Sequence, residues 1–410
     1  MQPFRNRGIF PEVTLILALA VIAGALRYLG FGLVSGDYEG FLRPWAQFIA
    51  ANGGFDALAH DFADYNVPYL YVLTALTWLA THSPLGMMLL VKLTSVAFDV
   101  VMAYYAGRIV GLRWPDWRIR ALAAVSVLLL PTVVLNGAYW AQCDSIYTAL
   151  TLAGLYHLLR DRPWWGVALL GLSLTVKLQA IFVFPALLTL LLAGRIRWRH
   201  LLTIPAVYLL CAVPAWLAGR PFGDLMLIYL HQSGQYGGLT LGAPSIYAYV
   251  RPGEQLDTIR TAGSLLAVAA VLVVICVLLI RRIRFDRTGT VLLFATFSIL
   301  VPFLLPSMHE RYFFQAEVLA VVAAFWLPRE LWYVPLLTQA ATFAEYQDYL
   351  FGTPEVVDLR ILALLTGAAL VATASRLLRH DREPDPPVPV QAEAPTPAPV
   401  EETARVPQPV

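Results

Sequence analysis

The chain has 410 residues, of which 59% are hydrophobic and 14% charged, with a mean hydropathy of +0.65. A soluble domain is about half apolar and a quarter charged, so this balance excludes an ordinary soluble enzyme and points to a polytopic membrane protein. The net charge of +2, without a basic run interleaved with aromatics, gives no footing for a nucleic-acid partner. Cys143, Cys211 and Cys276 lie far apart and form neither a metal-ligand spacing nor a disulfide framework.

In chain order, Arg5 and Arg7 precede an apolar stretch at 10–34. It is too long for a signal-peptide core and lacks a small-residue cleavage site, so it is expected to stay as the first span. Further apolar stretches follow at 84–107, 119–135, 145–159, 164–176, 178–193, 200–218, 262–280, 289–306, 311–327, 331–345 and 357–378. A straight crossing takes ~20 residues, so several of these must extend into polar neighbours. Val67–His82 is also apolar, and charge decides its place. If it lies on the surface, most of the 29 Lys and Arg residues fall on the N-terminal side, among them Arg108, Arg113, Arg118, Arg282 and Arg287. If it spans, most of them move to the opposite side, against the positive-inside rule. The expectation is an all-α polytopic membrane protein with about twelve spans and both termini cytoplasmic, Val67–His82 being a juxtamembrane helix at the outer surface.

Residues 1–380 then form one transmembrane unit, with a first outer loop at 35–83 and a large outer loop at 219–261. Residues 381–410 are rich in Pro, Ala and Glu and are expected to be a disordered cytoplasmic tail. No clear internal repeat is present, which weighs against an inverted-repeat transporter.

Charged residues at membrane depth mark function by default. Asp37 follows the first span closely in Gly36–Arg43 (GDYEGFLR), with Glu39 and Arg43 beside it. A carboxylate with a dry side gains basicity, and Arg43 is placed to hold it ionised; a helix N-cap is the alternative use of Gly36-Asp37. Asp64-Tyr65-Asn66 closes the first loop, and its aromatics suit headgroups or sugar stacking. Asn136–Asp144 (NGAYWAQCD) brings Gln142 and Asp144 to the outer face. Lys177 and Gln179 interrupt an apolar region there, and the lysine needs an anion: Asp144 or a ligand phosphate. His309-Glu310-Arg311 forms a turn at a span mouth, where the Arg311 fork suits phosphate oxygens and Glu310 orients its neighbours. Lys92 and Asp99, seven residues apart on one helix face, read as an intramembrane structural or packing pair, with a proton path as the alternative.

The blocks GDYEGFLRPW, DYNVPYLY, YWAQCDSIY, VKLQAIFVFPAL and MHERYFF, in this order, resemble the GT-C glycosyltransferases that use polyprenyl-phosphate sugars. The nearest likeness is to bacterial proteins related to the second mannosyltransferase of GPI-anchor synthesis. A wider one is to the dolichyl-phosphate-glucose enzymes of N-glycan assembly. From those enzymes the chain departs by Asn66-Val67-Pro68 in place of a double proline and by Arg311 in place of lysine. The resemblance covers nearly the whole chain except the tail. It implies that Asp37 is the general base and that His309, Glu310 and Arg311 contact the donor phosphate. Glu39, Arg43, Asp64, Tyr65, Gln142, Asp144, Lys177 and Gln179 are expected to complete the substrate site.

The activity so implied is transfer of a hexose, mannose first, from a polyprenyl-phosphate sugar to a lipid or lipid-linked glycan acceptor. It would proceed by inversion on the extracytoplasmic face of a cell membrane, a bacterial inner membrane by the nearest likeness. A phosphate monoester leaving group needs no metal in principle, and the use of a divalent ion stays open. The competing class is a transporter or lipid flippase coupled through Lys92, Asp99 and Lys177.

Overall fold

The computed structural model describes residues 10–233, 237–251, 253, 255–354 and 356–381. Arg5, Arg7 and all but the first residue of the Pro-rich tail lie outside the described residues.

Helix dominates. The longer helices are α1 (Phe10–Gly30), α2 (Arg43–Ala51), α3 (Val67–His82), α4 (Met87–Val110), α5 (Trp117–Leu128), α6 (Asp144–Leu159), α7 (Pro163–Val176) and α8 (Phe184–Leu192). They continue with α9 (Thr203–Leu217), α10 (Phe222–Ser233), α11 (Leu256–Ile280), α12 (Arg287–Leu304), α13 (Phe314–Trp326), α14 (Val334–Phe351) and α15 (Leu359–Leu378). Two short strands, β1 (Thr240–Leu241) and β2 (Met308–His309), pair in parallel.

Every apolar stretch read from the sequence contains helix. Among the described residues, six helices are long and apolar enough to cross a bilayer alone: α1, α4, α11, α12, α15 and the Trp198–Leu217 segment that contains α9. A seventh is α5 with Pro131–Tyr139, bent by 59°. The remaining stretches form helices that are shorter or, for α14, less apolar. An all-α polytopic membrane protein is what the chain forms, and helix length by itself does not carry the count to twelve.

Local chemistry explains the helix boundaries. The Asn66 side chain accepts the Val67 N–H at 2.8 Å, and Pro68 follows inside the first turn of α3. Asp116, Asp286 and Asp358 cap α5, α12 and α15 in the same way, at 2.9, 2.9 and 2.8 Å. Pro131 has no N–H to continue α5, so the chain bends there, runs through a π-helical turn at Leu135–Tyr139 and leaves the helix at Trp140.

The core is the α12–α13 hairpin. Across α12, 78% of the apolar window is buried, and α13 is buried along nearly its whole length against α4, α5, α6 and α14. By contrast only 22% of α11 and 17% of α1 are buried, with Leu265, Leu266 and Ile280 of α11 standing out from the bundle. A helix apolar on its unpartnered side needs hydrocarbon around it.

Lys92 and Asp99 do not pair with each other. Seven residues of helix separate them by about 10 Å along the axis. Each instead turns to α1 or the turn just after it: Arg27 Nη2 reaches Asp99 Oδ2 at 2.9 Å, and Lys92 Nζ donates to the carbonyls of Gly30 at 2.8 Å and Leu33 at 2.5 Å. Arg27 also donates to the Leu128 carbonyl at 2.8 Å, tying α1 to the end of α5. Removing one partner of such a buried pair leaves an unanswered charge. Arg27→Met is therefore expected to lower the unfolding free energy by about 3–5 kcal/mol in a denaturant titration of the micelle-bound protein. Wild-type stability in that titration would show that the pair contributes nothing.

Candidate functional site

The tip of the central hairpin carries one half of the site. Beyond α12 the backbone enters the left-handed region at Ser307, with φ +60. There the Ser307 N–H donates to the Leu239 carbonyl at 2.8 Å, and its hydroxyl donates to the Gly238 carbonyl at 2.7 Å. β2 then pairs Met308 with Thr240 and His309 with Leu241. Gly242 crosses directly over Glu310: its φ is +80, and a Cβ there would lie 3.1 Å from Glu310 Oε2, so only glycine fits without displacement. The 3-10 turn Glu310–Phe313 follows, with Glu310 and Arg311 buried.

The other half comes from the first loop and the bent segment after α5. The Ser35 hydroxyl donates to the Trp140 carbonyl at 2.6 Å and accepts the Tyr38 N–H at 3.2 Å, which fixes the turn that holds Asp37. Asp37 caps no helix through its side chain. Its Oδ2 accepts from Trp140 Nε1 at 3.0 Å and from the Gln142 amide, and its Oδ1 accepts from the Tyr349 hydroxyl. Arg311 Nη2 stands 3.9 Å from Oδ2. Arg43 plays no part here. It pairs with Glu39 one turn away at 2.7 Å, and both side chains are about half exposed. The i,i+4 spacing satisfies them locally, which corrects the expectation that Arg43 keeps Asp37 ionised; Arg311, Trp140, Gln142 and Tyr349 face that carboxylate instead.

A second ion pair lies behind the first. Lys177 Nζ bonds to Asp144 Oδ1, and Asn136 Nδ2 donates to Asp144 Oδ2 at 2.8 Å. Lys177 is exposed to this partner because α7 stops at Val176 and the backbone turns extended at Lys177 before Leu178–Val183 resumes. Its ammonium also lies 5.4 Å from the centre of the Tyr65 ring, whose hydroxyl donates to Gln142 Oε1 at 3.2 Å. Gln142 thereby joins the Asp37 and Lys177 groups. Its position depends on Ala141, held at φ +66, and on the Ser95 hydroxyl, which donates to the Gln142 carbonyl at 2.6 Å. Two non-glycine residues in the left-handed region, Ala141 and Ser307, thus flank the two halves.

Arg311 stands where two cavities adjoin. The smaller, about 170 Å³, is lined by Asp37, Trp45, Tyr65, Gln142, His309 and Tyr349 among others; the larger, about 700 Å³, by Lys177, Gln179, Tyr229, Arg260, Ser307 and Tyr312 among others. Asp64, Tyr65 and Arg311 line both. An apolar groove of about 440 Å³ between α8, α9, α11 and α12 shares Ile181 and Leu305 with the larger cavity.

Burial works against the Arg311 charge, but Glu310, Tyr312 and Asp37 outweigh it and raise the guanidinium pKa well above its ordinary value. Its Nε has no hydrogen-bond partner among the described residues. Glu310 Oε1 lies 3.3 Å from Nη1, and His309 Nδ1 lies 3.8 Å from Glu310 Oε2, so Glu310 stands between the two. Burial raises the Tyr65 phenol well above its usual range, which keeps it a donor to Gln142. It also pushes the Cys143 thiol up to about 11, so that sulfur is no thiolate nucleophile at neutral pH. Among the described residues no three His, Cys, Asp or Glu side chains converge as a metal-ligand group.

Asp37, Asp64, Tyr65, Gln142, Asp144, Lys177, Gln179, His309, Glu310 and Arg311 therefore meet in one place, while Glu39 and Arg43 turn away. Trp140, Asn136, Tyr349 and Arg260 belong to the site and were missed by sequence reasoning. Arg260 donates from Nε to Ser307 Oγ at 3.0 Å. The readable signal for Trp140 and Asn136 was their place inside NGAYWAQCD; Tyr349 and Arg260 had none.

The Asp144–Lys177 pair gives a test of this geometry. Lys177→Met and Asp144→Leu are each expected to destabilise the fold by about 3–5 kcal/mol, and the double variant to recover much of that loss. Strict additivity in the double-mutant cycle would mean that the two side chains do not interact.

No curated protein matches the chain. The family model for glycosyltransferase family 87 matches residues 62–307, more than half of its length. The matched span takes in Asp64, Gln142, Asp144 and Lys177 and stops short of Asp37 and Arg311. It supports the wider GT-C resemblance and does not reach the narrower one to the second GPI mannosyltransferase. The chain is a membrane glycosyltransferase and belongs to glycosyltransferase family 87.

Proposed function

We propose that the enzyme moves a hexose, with mannose the first choice, from a polyprenyl-phosphate sugar to a hydroxyl of a lipid or lipid-linked glycan. One observation carries this reading: Asp37 and the cations Lys177 and Arg260 line two different cavities that adjoin at Arg311. The small cavity suits an acceptor hydroxyl beside a base. The large one suits a phosphate, and the apolar groove that continues from it suits a polyprenyl chain. Asp37 removes the acceptor proton as the acceptor oxygen attacks the anomeric carbon. The bond to the phosphate oxygen breaks with its electron pair on the phosphate, and Arg311, His309 and Lys177 stabilise that growing charge. A single displacement inverts the anomeric centre.

The face follows from charge. The site gathers the C-terminal end of α12 and the N-terminal end of α6. The arginine-rich loops gather at the other ends of these helices, where Arg287 Nε reaches the Leu159 carbonyl at 3.2 Å. By the positive-inside rule the site is extracytoplasmic. The transporter reading loses its coupling groups, because Lys92 and Asp99 are engaged in holding α1.

Asp37→Asn is expected to bind donor normally and to lose at least ~100-fold in turnover, the scale of a lost general base. Near-normal turnover of the Asn variant would remove Asp37 from the mechanism. Arg311→Ala is expected to weaken polyprenyl-phosphate binding by about 1.5–3 kcal/mol and to cost more in turnover, with Arg311→Lys between it and wild type. A titration in which the Ala variant binds polyprenyl phosphate as tightly as wild type would move the phosphate away from Arg311.

A further inference from the structure

The two oxygens of Asp37 are not equivalent. Oδ2 is held by the Trp140 indole at 3.0 Å and by the Gln142 amide, with Arg311 3.9 Å away. Oδ1 has one hydrogen bond among the described residues, from the Tyr349 hydroxyl. Tyr349 comes from the last turn of α14, far along the chain, and its ring stacks on Trp140 at 4.5 Å with 23° between the planes. That stack aims the phenol at the carboxylate. Asp37 is 9% exposed and Tyr349 46% exposed, so the phenol covers the one oxygen that the indole and amide leave uncommitted.

We propose that Tyr349 keeps the acceptor's place on Asp37 Oδ1. The acceptor hydroxyl binds by displacing the phenol, and until it does, the phenol keeps water from that oxygen. Tyr349 is thus a residue that sets the preference for acceptor over water, and this inference rests on the reading of Asp37 as the base. Once the phenol has moved, the acceptor oxygen bonds to the anomeric carbon, its proton passes to Oδ1, and the polyprenyl phosphate leaves with the electron pair of the broken bond. Water in the same position would follow the same course and release free sugar.

Tyr349→Phe keeps the ring on Trp140 and leaves beside Oδ1 a space of about one oxygen atom, enough for a water. The test uses the purified full chain and polyprenyl-phosphate mannose tritiated in the sugar, with no acceptor, and counts free sugar released. Binding of unlabelled polyprenyl phosphate in the same preparation reports folding. Hydrolysis by Tyr349→Phe is expected to rise about tenfold over wild type, the scale of one lost hydrogen bond to a charged group. The Asp37→Asn/Tyr349→Phe double variant is expected to lose that hydrolysis. Release at or below the wild-type rate in the Phe variant, with lipid binding intact, overturns the role of Tyr349 and leaves Asp37 untouched. A rise that survives in the double variant overturns Asp37 as the base, and the displacement scheme with it.

Discussion

Charge removed from water must be answered by opposite charge or by hydrogen-bond donors, and the arrangement of this protein follows from meeting that demand around Arg311. The guanidinium sits at the tip of the most buried hairpin, 8% exposed, with Glu310 beside it, Asp37 near it and the Trp140 ring 5.3 Å below it. Placing Asp37 there requires the turn built on Ser35. Placing Trp140 requires the bend at Pro131 and the π-helical turn that follows. Lys177, also buried, raises the same demand, and Asp144 with Asn136 meets it. Two break points in otherwise apolar helices, one after α5 and one after α7, exist at the places where these charges have to be met.

Among the described residues, two of the four non-glycine residues with left-handed backbone lie in the same two places. Ala141 and Ser307 hold left-handed backbone that a side chain rarely adopts, and each is fixed by neighbours from other elements: Ser95 and Asn136 around Gln142, and Leu239 and Gly238 at Ser307. Donors and acceptors so fixed do not need to reorganise when charge develops, which is the condition under which electrostatic stabilisation accelerates a reaction most.

The helical membrane architecture was legible in the apolar stretches, and most of the site in the rarity of charge beside them. Asp37, Asp144, Lys177 and Arg311 stood out because each is expensive near hydrocarbon. Glu39 and Arg43 stood out for the same reason yet satisfy each other one turn apart at the surface, a local pairing that outcompetes the site. Lys92 and Asp99 share a helix face but not a contact, and their partners, on α1 and in the turn just after it, lie 59 to 72 residues away in sequence. Tyr349 is 312 residues from Asp37, and a tyrosine at a helix end in a membrane protein is ordinary at the headgroup level. What the sequence hides is therefore pairing at long separation by residues whose type is unremarkable in this solvent.

The bond between Arg27 and Asp99 also bears on how the chain is made. Arg27 enters the bilayer with α1, and the carboxylate that answers it arrives 72 residues later in α4. During that interval the first helix carries, in its last turn, a cation whose carboxylate partner has not yet been made. Docking of α4 on α1 therefore supplies the carboxylate that makes Arg27 tolerable beside hydrocarbon.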